Sequence, residues 1–199
     1  MAVIEPRALT LRDGAVLTLR CAEEGDAFAS LRLRLETTRT CPYIASLPED
    51  VNESPWQQAA TLRGFRDDPR GLLLYAQAPG GALVGGLGLK SNARRKLQHW
   101  VDLGMAIVPA WQGRGLGRAM IEAALDFAAA NPLIEKVTLG VLPENARAHG
   151  LYVSMGFREE GRQYRHLRQP DGTYSDHVFM AVYVKPGAAP SGFETWRGR

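Results

Sequence analysis

The sequence has few cysteines and no long apolar run, and both absences limit what the protein can be. Cys21 and Cys41 are its two cysteines among 199 residues, too few for a disulfide framework or a cysteine metal site. No apolar stretch reaches the roughly 20 residues of a membrane-spanning helix. Residues 1–12 also lack the apolar segment of a signal peptide. We therefore expect a cytoplasmic protein with reduced thiols, no metal and no membrane partner.

The charge is nearly balanced, which argues against a nucleic-acid partner. The chain carries 24 basic and 21 acidic residues, a net charge of +3. Proteins that bind nucleic acids usually show a more lopsided balance or a clear basic stripe. The one compact basic run, Arg94-Arg95-Lys96, is typical of a solvated loop, although such a run can also bind an anionic ligand.

The pattern along the chain predicts an α+β fold in which helices flank a mostly antiparallel sheet. Asp13-Gly14 is a strong turn signal between two apolar runs, so a hairpin is expected there. Two helices are predicted next, at about 23–39 and 54–66, the first with Phe28, Leu31 and Leu35 on its apolar face. Further strands are predicted at 71–77, 82–90, 99–108, 135–142, 157–168 and 174–184, and further helices at 115–130 and 145–154.

One domain accounts for most of the chain. Its length suits a single domain over residues 1–185, and the small, breaker-rich segment 186–199 is predicted to be a loose tail. The last strand ends in Val182-Tyr183-Val184, which is apolar enough to pair or pack with a second copy, so a homodimer is expected.

A glycine-rich turn lies between the strand ending near Val108 and the helix beginning near Gly115. Glycines at 113, 115 and 117 let backbone amides turn inward with no Cβ in the way. The first helical turn adds unpaired N–H groups and a positive dipole end, so a diphosphate could bind there. A turn without a ligand is the alternative. No Gly-Lys-Ser/Thr follows, and Arg118 stands where a dinucleotide-binding fingerprint needs glycine, so neither of those motifs fits.

Three blocks of sequence resemble the GNAT superfamily of N-acetyltransferases. Gln112-Gly113-Arg114-Gly115-Leu116-Gly117 is similar to its signature Gln/Arg-x-x-Gly-x-Gly/Ala, and the stretch 102–109 looks like its fourth strand. Residues 145–157 follow its Asn-x-x-Ala-x-x-Leu-Tyr-x-x-x-Gly-Phe pattern. The resemblance implies a three-layer α-β-α fold whose sheet is splayed between the fourth and fifth strands.

The resemblance also implies roles for particular residues. Tyr152 would protonate the leaving thiolate, with a packed aromatic as the alternative, and Asn145 would contact acetyl-CoA, cap its helix, or do both. The residues that would bind acetyl-CoA are Met105, Ala106, Ile107, Val108, Gln112, Gly113, Arg114, Gly115, Leu116, Gly117, Arg118, Asn145 and Tyr152.

The proton acceptor is less clearly indicated. Asp102 stands where many relatives carry a carboxylate, so it could accept the proton of the amine, but a structural role is an alternative. His99 and water are the other candidates, while His149, His166 and His177 show no metal-ligand spacing.

The implied reaction is transfer of an acetyl group from acetyl-CoA to a primary amine, without a metal. The acceptor is expected to be a small molecule such as an amino acid, since the end of the chain resembles bacterial L-amino-acid and small-amine N-acyltransferases. Acetylation of a protein N-terminus, as in ribosomal-protein acetylation, is the alternative within the class. A non-catalytic acetyl-CoA-binding module is the alternative outside it.

Overall fold

The computed structural model describes residues 4–198. Over that range, none of the helices has both the length and the apolar character needed to cross a membrane. The strands are β1 (Arg7–Thr10), β2 (Val16–Cys21), β3 (Leu72–Gln77), β4 (Leu83–Ser91), β5 (Trp100–Ile107), β6 (Lys136–Val141), β7 (Arg158–Arg168) and β8 (Tyr174–Tyr183). The α-helices are α1 (Ala27–Thr40), α2 (Pro55–Asp67), α3 (Leu116–Ala130) and α4 (Ala146–Ser154).

All eight strands join one sheet in the order β1-β2-β3-β4-β5-β6-β8-β7. Every neighbouring pair is antiparallel except β5 and β6, which are parallel. The parallel pairing covers only Trp100–Leu103 against Lys136–Leu139. Beyond Leu103, β5 continues to Ile107 alongside β4 alone. The predicted mixed, splayed sheet is therefore confirmed. The splay lies between β5 and β6, the strands predicted at 99–108 and 135–142, which correspond to the fourth and fifth strands of the fold implied by the resemblance.

Helices cover both faces of the sheet, as the three-layer prediction requires. On one face, α1 and α2 approach β4 closely, because Gly86 and Gly88 leave room for Leu33 and for the ring of Phe65. On the other face, α3 buries one side against the largest apolar cluster. Burial of each large apolar side chain contributes about 1.5–3 kcal/mol. The core therefore holds β4 and β5 rigidly between two layers of helix.

The buried face of α1 differs from the predicted one. Phe28 is 65% exposed and Leu31 and Leu35 are only partly buried. The residues that are buried instead are Ala27, Ser30, Leu33 and Thr37. Ser30 can be buried because the Tyr75 hydroxyl and Gln58 Nε2 hydrogen-bond to its Oγ, at 2.6 and 2.9 Å. Polar partners from other elements, rather than apolar periodicity, therefore determine which side of α1 faces the sheet.

The end of the chain also differs from expectation. β8 lies between β6 and β7, and Val182 and Val184 are buried in the core, so this strand is not available to a second copy. After Lys185 the chain loops round, so that Thr195 forms a parallel bridge with Tyr183 of β8. The N–H of Trp196 donates to the carbonyl of Tyr183 at 2.7 Å, and its indole donates to Asp126 at 3.1 Å. These contacts hold the segment after Lys185 against the domain, although a loose tail was predicted there.

Candidate active site

The splay leaves part of the β5 backbone facing an open gap. The N–H of Val108 donates to Val84 on the β4 side, at 3.0 Å. Since N–H groups alternate sides along a strand, the amides of Met105 and Ile107 point to the other side, where β6 has diverged. Met105, Ala106 and Ile107 line the gap, whereas Val108 lies outside its lining. The structure thus brings three of the four residues predicted in this stretch to the gap.

The glycine turn presents the start of α3 to this gap. Gly113 and Gly115 have φ values of +78° and +96°, which a larger residue adopts only with strain. Gly115 is the N-cap of α3 and no side chain caps the helix. At Gly117 a Cβ would come within 3.3 Å of Leu151 and 3.4 Å of Met105, so the turn is closely packed. The free N–H groups of the first turn, with the positive helix dipole, suit a phosphate.

Three arginines line the gap around this turn: Arg12, Arg118 and Arg147. Arg118 is held by Ser154 at 2.7 Å, and Arg147 lies beside the turn, its Nη2 3.1 Å from a Cβ built on Gly113. Sequence reasoning missed Arg12 and Arg147. Arg12 is a hundred residues away and is placed by a hydrogen bond from its N–H to the Arg114 carbonyl, at 3.1 Å. No local motif signals such a contact.

Three other predicted residues have mainly structural side chains. Arg114 turns away from the gap to pair with Asp13 at 3.2 Å, so only its backbone can serve a ligand. The Leu116 side chain is buried in the core, with the same consequence. Gln112 lines the gap, but its Nε2 donates to the carbonyl of Ile107 at 2.8 Å and ties the glycine turn to β5.

Asn145 and Tyr152 reach the gap from α4. Asn145 Oδ1 accepts a hydrogen bond from the N–H of Ala148 at 3.2 Å, so this residue caps the helix while also lining the gap. Tyr152 is 7% exposed, and its ring packs against Phe157 with centroids 5.8 Å apart. Burial raises the pKa of Tyr152 to about 12, so the phenol keeps its proton at neutral pH.

Asp102 lies on β5, on the face of the sheet that α1 and α2 flank, and it lines a cavity there. Its Oδ1 accepts a hydrogen bond from Thr138 Oγ1 at 3.0 Å. The carboxylate is accessible from the opening, yet the surrounding protein excludes enough water to raise its pKa. The Thr138 hydrogen bond and the charges of His177 and Lys90 oppose that effect without cancelling it.

His99 stands apart from this arrangement. It is exposed, it lines neither of the two cavities described below, and its carbonyl accepts the N–H groups of Glu135 and Lys136 at 2.8 and 3.3 Å. Of the two side chains considered as proton acceptors, only Asp102 faces a cavity.

Two cavities meet at the splay. The first, of about 590 Å³, contains the glycine turn, the three arginines and α4. The second, of about 620 Å³, has β4 and β5 as its floor and α1 and α2 as its walls, with Asp102 and Lys90 on the floor. Six residues line both: Tyr43, Ile44, Met105, Ala106, Asn145 and Tyr152. A ligand extending from the glycine turn can therefore meet a second ligand beside Tyr152.

The walls of the second cavity come from the two helices that precede β3. Both α1 and α2 contribute lining residues, whereas neither the 91–98 loop nor the β7–β8 hairpin does so within the described chain. Arg34 is paired there with Glu53 at 2.9 Å and bonded to Gln58 at 3.1 Å, a cluster that no sequence motif indicates. No group of three or more His, Cys, Asp or Glu residues between 4 and 198 is arranged to hold a metal ion.

Comparisons with known proteins identify a family and several relatives. The model of the Acetyltransferase (GNAT) family matches residues 33–157. The N-alpha-acetyltransferase RimI of Mycobacterium tuberculosis is 34% identical over 118 residues, which are 59% of this chain and 71% of that protein. The L-amino acid N-acetyltransferase AaaT of Escherichia coli is 27% identical over 101 residues, 51% of this chain and 62% of that protein.

A solved structure supports the fold independently. YncA of Salmonella typhimurium, a putative acetyltransferase with its cofactor acetyl-CoA, superposes with a TM-score of 0.76 at 20% identity. The match covers 88% of this chain and 98% of that one. At this identity the comparison establishes the architecture alone.

Proposed function

Because the chain belongs to the GNAT acetyltransferase family, we propose that it transfers the acetyl group of acetyl-CoA to the primary amine of a small molecule, an amino acid being the favoured acceptor. The observation that carries the proposal is the meeting of the two cavities at the splay, beside Tyr152 and the free β5 amides. One cavity suits a long anionic thioester and the other suits a compact amine, and the reacting atoms would come together where six lining residues are shared.

The first cavity fits acetyl-CoA in charge and shape. The start of α3 and the side chains of Arg12, Arg118 and Arg147 supply positive potential for phosphates. The backbone amides of Met105 and Ile107 can pair with the amide groups of a pantetheine arm, much as a neighbouring strand would. When bound, acetyl-CoA supplies an activated thioester.

The chemistry requires alignment of the two reactants, removal of two protons from the acceptor nitrogen and delivery of one proton to the departing sulfur. An acceptor arrives as an ammonium ion and must lose one proton, for which the Asp102 carboxylate is placed on the cavity floor. The amine nitrogen then forms a bond to the acetyl carbon, the carbon–sulfur bond breaks, and the nitrogen loses its second proton, which replaces the proton that Tyr152 gives to the sulfur. Tyr152, which is protonated at neutral pH and lines both cavities, would give the departing sulfur its proton. Holding both reactants at the splay supplies the remainder of the rate enhancement by proximity.

Lys90 favours an amino acid among small amines. It is exposed on β4 directly opposite Asp102 on β5, so the two side chains stand on one face with opposite charges. Facing residues of antiparallel strands have Cβ atoms about 5 Å apart. An α-amino acid carries its ammonium and its carboxylate on one carbon, so the two side chains can converge on it, with Asp102 facing the ammonium and Lys90 facing the carboxylate.

Acetylation of a protein N-terminus is the second candidate. The observation that favours it is the 34% identity with the mycobacterial N-alpha-acetyltransferase. The N-terminal residue of a protein offers the same α-amine, but its carboxyl group is part of a peptide bond. It would therefore present no carboxylate for Lys90 to face.

An acceptor screen with matched compounds tests the proposal. Thiol release from acetyl-CoA is measured with alanine, alanine amide, an alanyl peptide and spermidine, in the wild type and in Lys90→Met. We expect alanine to be preferred, with a KM raised about tenfold or more by Lys90→Met. The KM for alanine amide should be unchanged. Preference for the peptide supports the second candidate. Tight CoA binding with no thiol release from any amine would indicate a non-catalytic acetyl-CoA-binding module.

A further inference from the structure

One glycine of the second cavity has no neighbouring side chain that explains it. Four glycines of the described chain line that cavity: Gly86, Gly88, Gly104 and Gly140. At three of them a ring already occupies the space of a side chain, because an added Cβ would lie 3.4 Å or less from Tyr75, Phe65 or His177. At Gly104 an added Cβ would meet nothing within 4 Å. Close packing therefore accounts for the other three glycines but not for Gly104.

The backbone does not require glycine at position 104 either. Gly104 lies inside β5, and its φ is outside the left-handed region in which glycine is favoured. Glycine weakens the interior of a strand, and it often marks a place where a ligand comes close to the backbone. The missing side chain therefore keeps part of the cavity open.

The open space over Gly104 lies between the proton acceptor and the splay. Asp102, Gly104 and Ala106 alternate along β5, so they share one face at intervals of about 7 Å. Asp102 lines the second cavity alone, whereas Ala106 lines both cavities. An amine that gives a proton to Asp102 and then meets the thioester at the splay lies over the backbone at Gly104. Since Gly104 does not line the first cavity, this space belongs to the acceptor side.

We propose that Gly104 determines which acceptors are used, because the carbon next to the reacting nitrogen occupies the space over it. This inference rests on the proposed function. With the ammonium facing Asp102 and the carboxylate facing Lys90, the substituent on the α-carbon lies over Gly104. A methyl group added to residue 104 then competes for the same space with the methyl group of an acceptor such as alanine. Free glycine, which has no such group, leaves room for it.

Adding one methyl group to the protein and removing one from the acceptor tests the inference. The variants are Gly104→Ala, Gly104→Val and, as the matched control, Gly150→Ala. Gly150 is an exposed glycine of α4 that lines neither cavity, and an added Cβ there also meets nothing within 4 Å. For each protein, kcat/KM is measured with alanine and with free glycine at saturating acetyl-CoA. The affinity for CoA and the thermal midpoint are measured alongside.

The expected result is a change of specificity without a change of fold. In Gly104→Ala, kcat/KM for alanine should fall about tenfold or more, the usual effect of one carbon in a fitted pocket, while that for glycine changes about threefold or less. Gly104→Val should impair both acceptors. The affinity for CoA and the thermal midpoint of Gly104→Ala should not fall, because the added Cβ meets no protein atom within 4 Å. Gly150→Ala should leave both kcat/KM values unchanged.

Two results would overturn the inference. One is an alanine-to-glycine ratio of kcat/KM that is the same in Gly104→Ala as in the wild type. The other is a loss with both acceptors together with weaker CoA binding, because the space would then belong to acetyl-CoA. If peptides prove to be the acceptors, the same ratio is taken between an alanyl and a glycyl peptide. A wild type that acetylates no amine would overturn the proposed function as well.

Discussion

Replacing Tyr152 by phenylalanine separates proton donation from packing. The ring is 7% exposed and contacts Phe157, and phenylalanine keeps that ring while removing only the hydroxyl. The apolar contacts of α4 with the core are therefore retained, and we expect little change in the free energy of unfolding. What the variant loses is the proton that the departing sulfur would take.

The size of the effect depends on how well the two pKa values match. Burial raises the pKa of Tyr152 to about 12, whereas an ordinary thiol titrates near 8.5. If both values held during reaction, the proton transfer would be uphill by about 5 kcal/mol. A thiolate in the same buried place is also desolvated, which raises its pKa and narrows the gap. A positioned acid then contributes about 10²–10⁴-fold in rate, or about 3–5 kcal/mol.

Steady-state kinetics and calorimetry together provide the assay. In Tyr152→Phe we expect kcat to fall by about 10²–10⁴-fold while the affinity for CoA changes less than threefold, because the hydroxyl acts on a group that exists only during reaction. Since its raised pKa keeps the phenol protonated, no loss of kcat due to Tyr152 is expected below about pH 11. Near-normal turnover in the variant would refute the assignment and leave water as the proton donor.

Four other predictions concern separate parts of the molecule. Gly115→Val places a branched side chain at φ +96° and should weaken CoA binding at least tenfold by calorimetry; equal affinity would remove the glycine turn from the binding site. Asp102→Asn should lower kcat about 10²-fold or more. It should also abolish the loss of kcat that the wild type shows as the pH falls through the raised pKa of the carboxylate. In the same assay, the kcat of His99→Gln should stay within twofold of the wild-type value. Burial alone would raise the pKa of Asp26, but the hydrogen bonds from Arg20 and from the Glu23 N–H outweigh burial, and the net pKa is lowered. Ionised Asp26 therefore stabilises the fold at pH values above its unfolded pKa, and this stabilisation is lost as the pH falls through the lowered folded pKa. Asp26→Asn should accordingly reduce the free energy of unfolding in urea by about 3 kcal/mol at pH 7 and by much less at pH 2. A homodimer stays a prediction. Light scattering would test it by measuring the molecular mass across micromolar concentrations, and a mass that stays that of a monomer would contradict it.

The parts of the site that the sequence predicted are those encoded locally. The glycine turn and the helix cap at Asn145 depend on backbone preferences within a few residues, and the structure has both of them. The buried face of α1 was mispredicted because Ser30 is paired by residues 28 and 45 positions away. Arg12 reaches the site through a hydrogen bond from its N–H to the Arg114 carbonyl, a contact between distant segments that periodicity in one segment does not reveal.

The divergence of β5 and β6 gives the sheet an edge in its interior. Exposed strand edges invite pairing with other chains and so promote aggregation, which is why proteins shorten or cover them. Here the unpaired stretch of β5 after Leu103 lies in a cleft shared by the two cavities, between the segment at Tyr43 and α4. A pantetheine arm is slender enough to suit such a cleft, whereas a protein strand, with side chains on both faces, is wider. The amides of Met105 and Ile107 should accordingly exchange with solvent deuterium quickly in the free protein and slowly once CoA is bound.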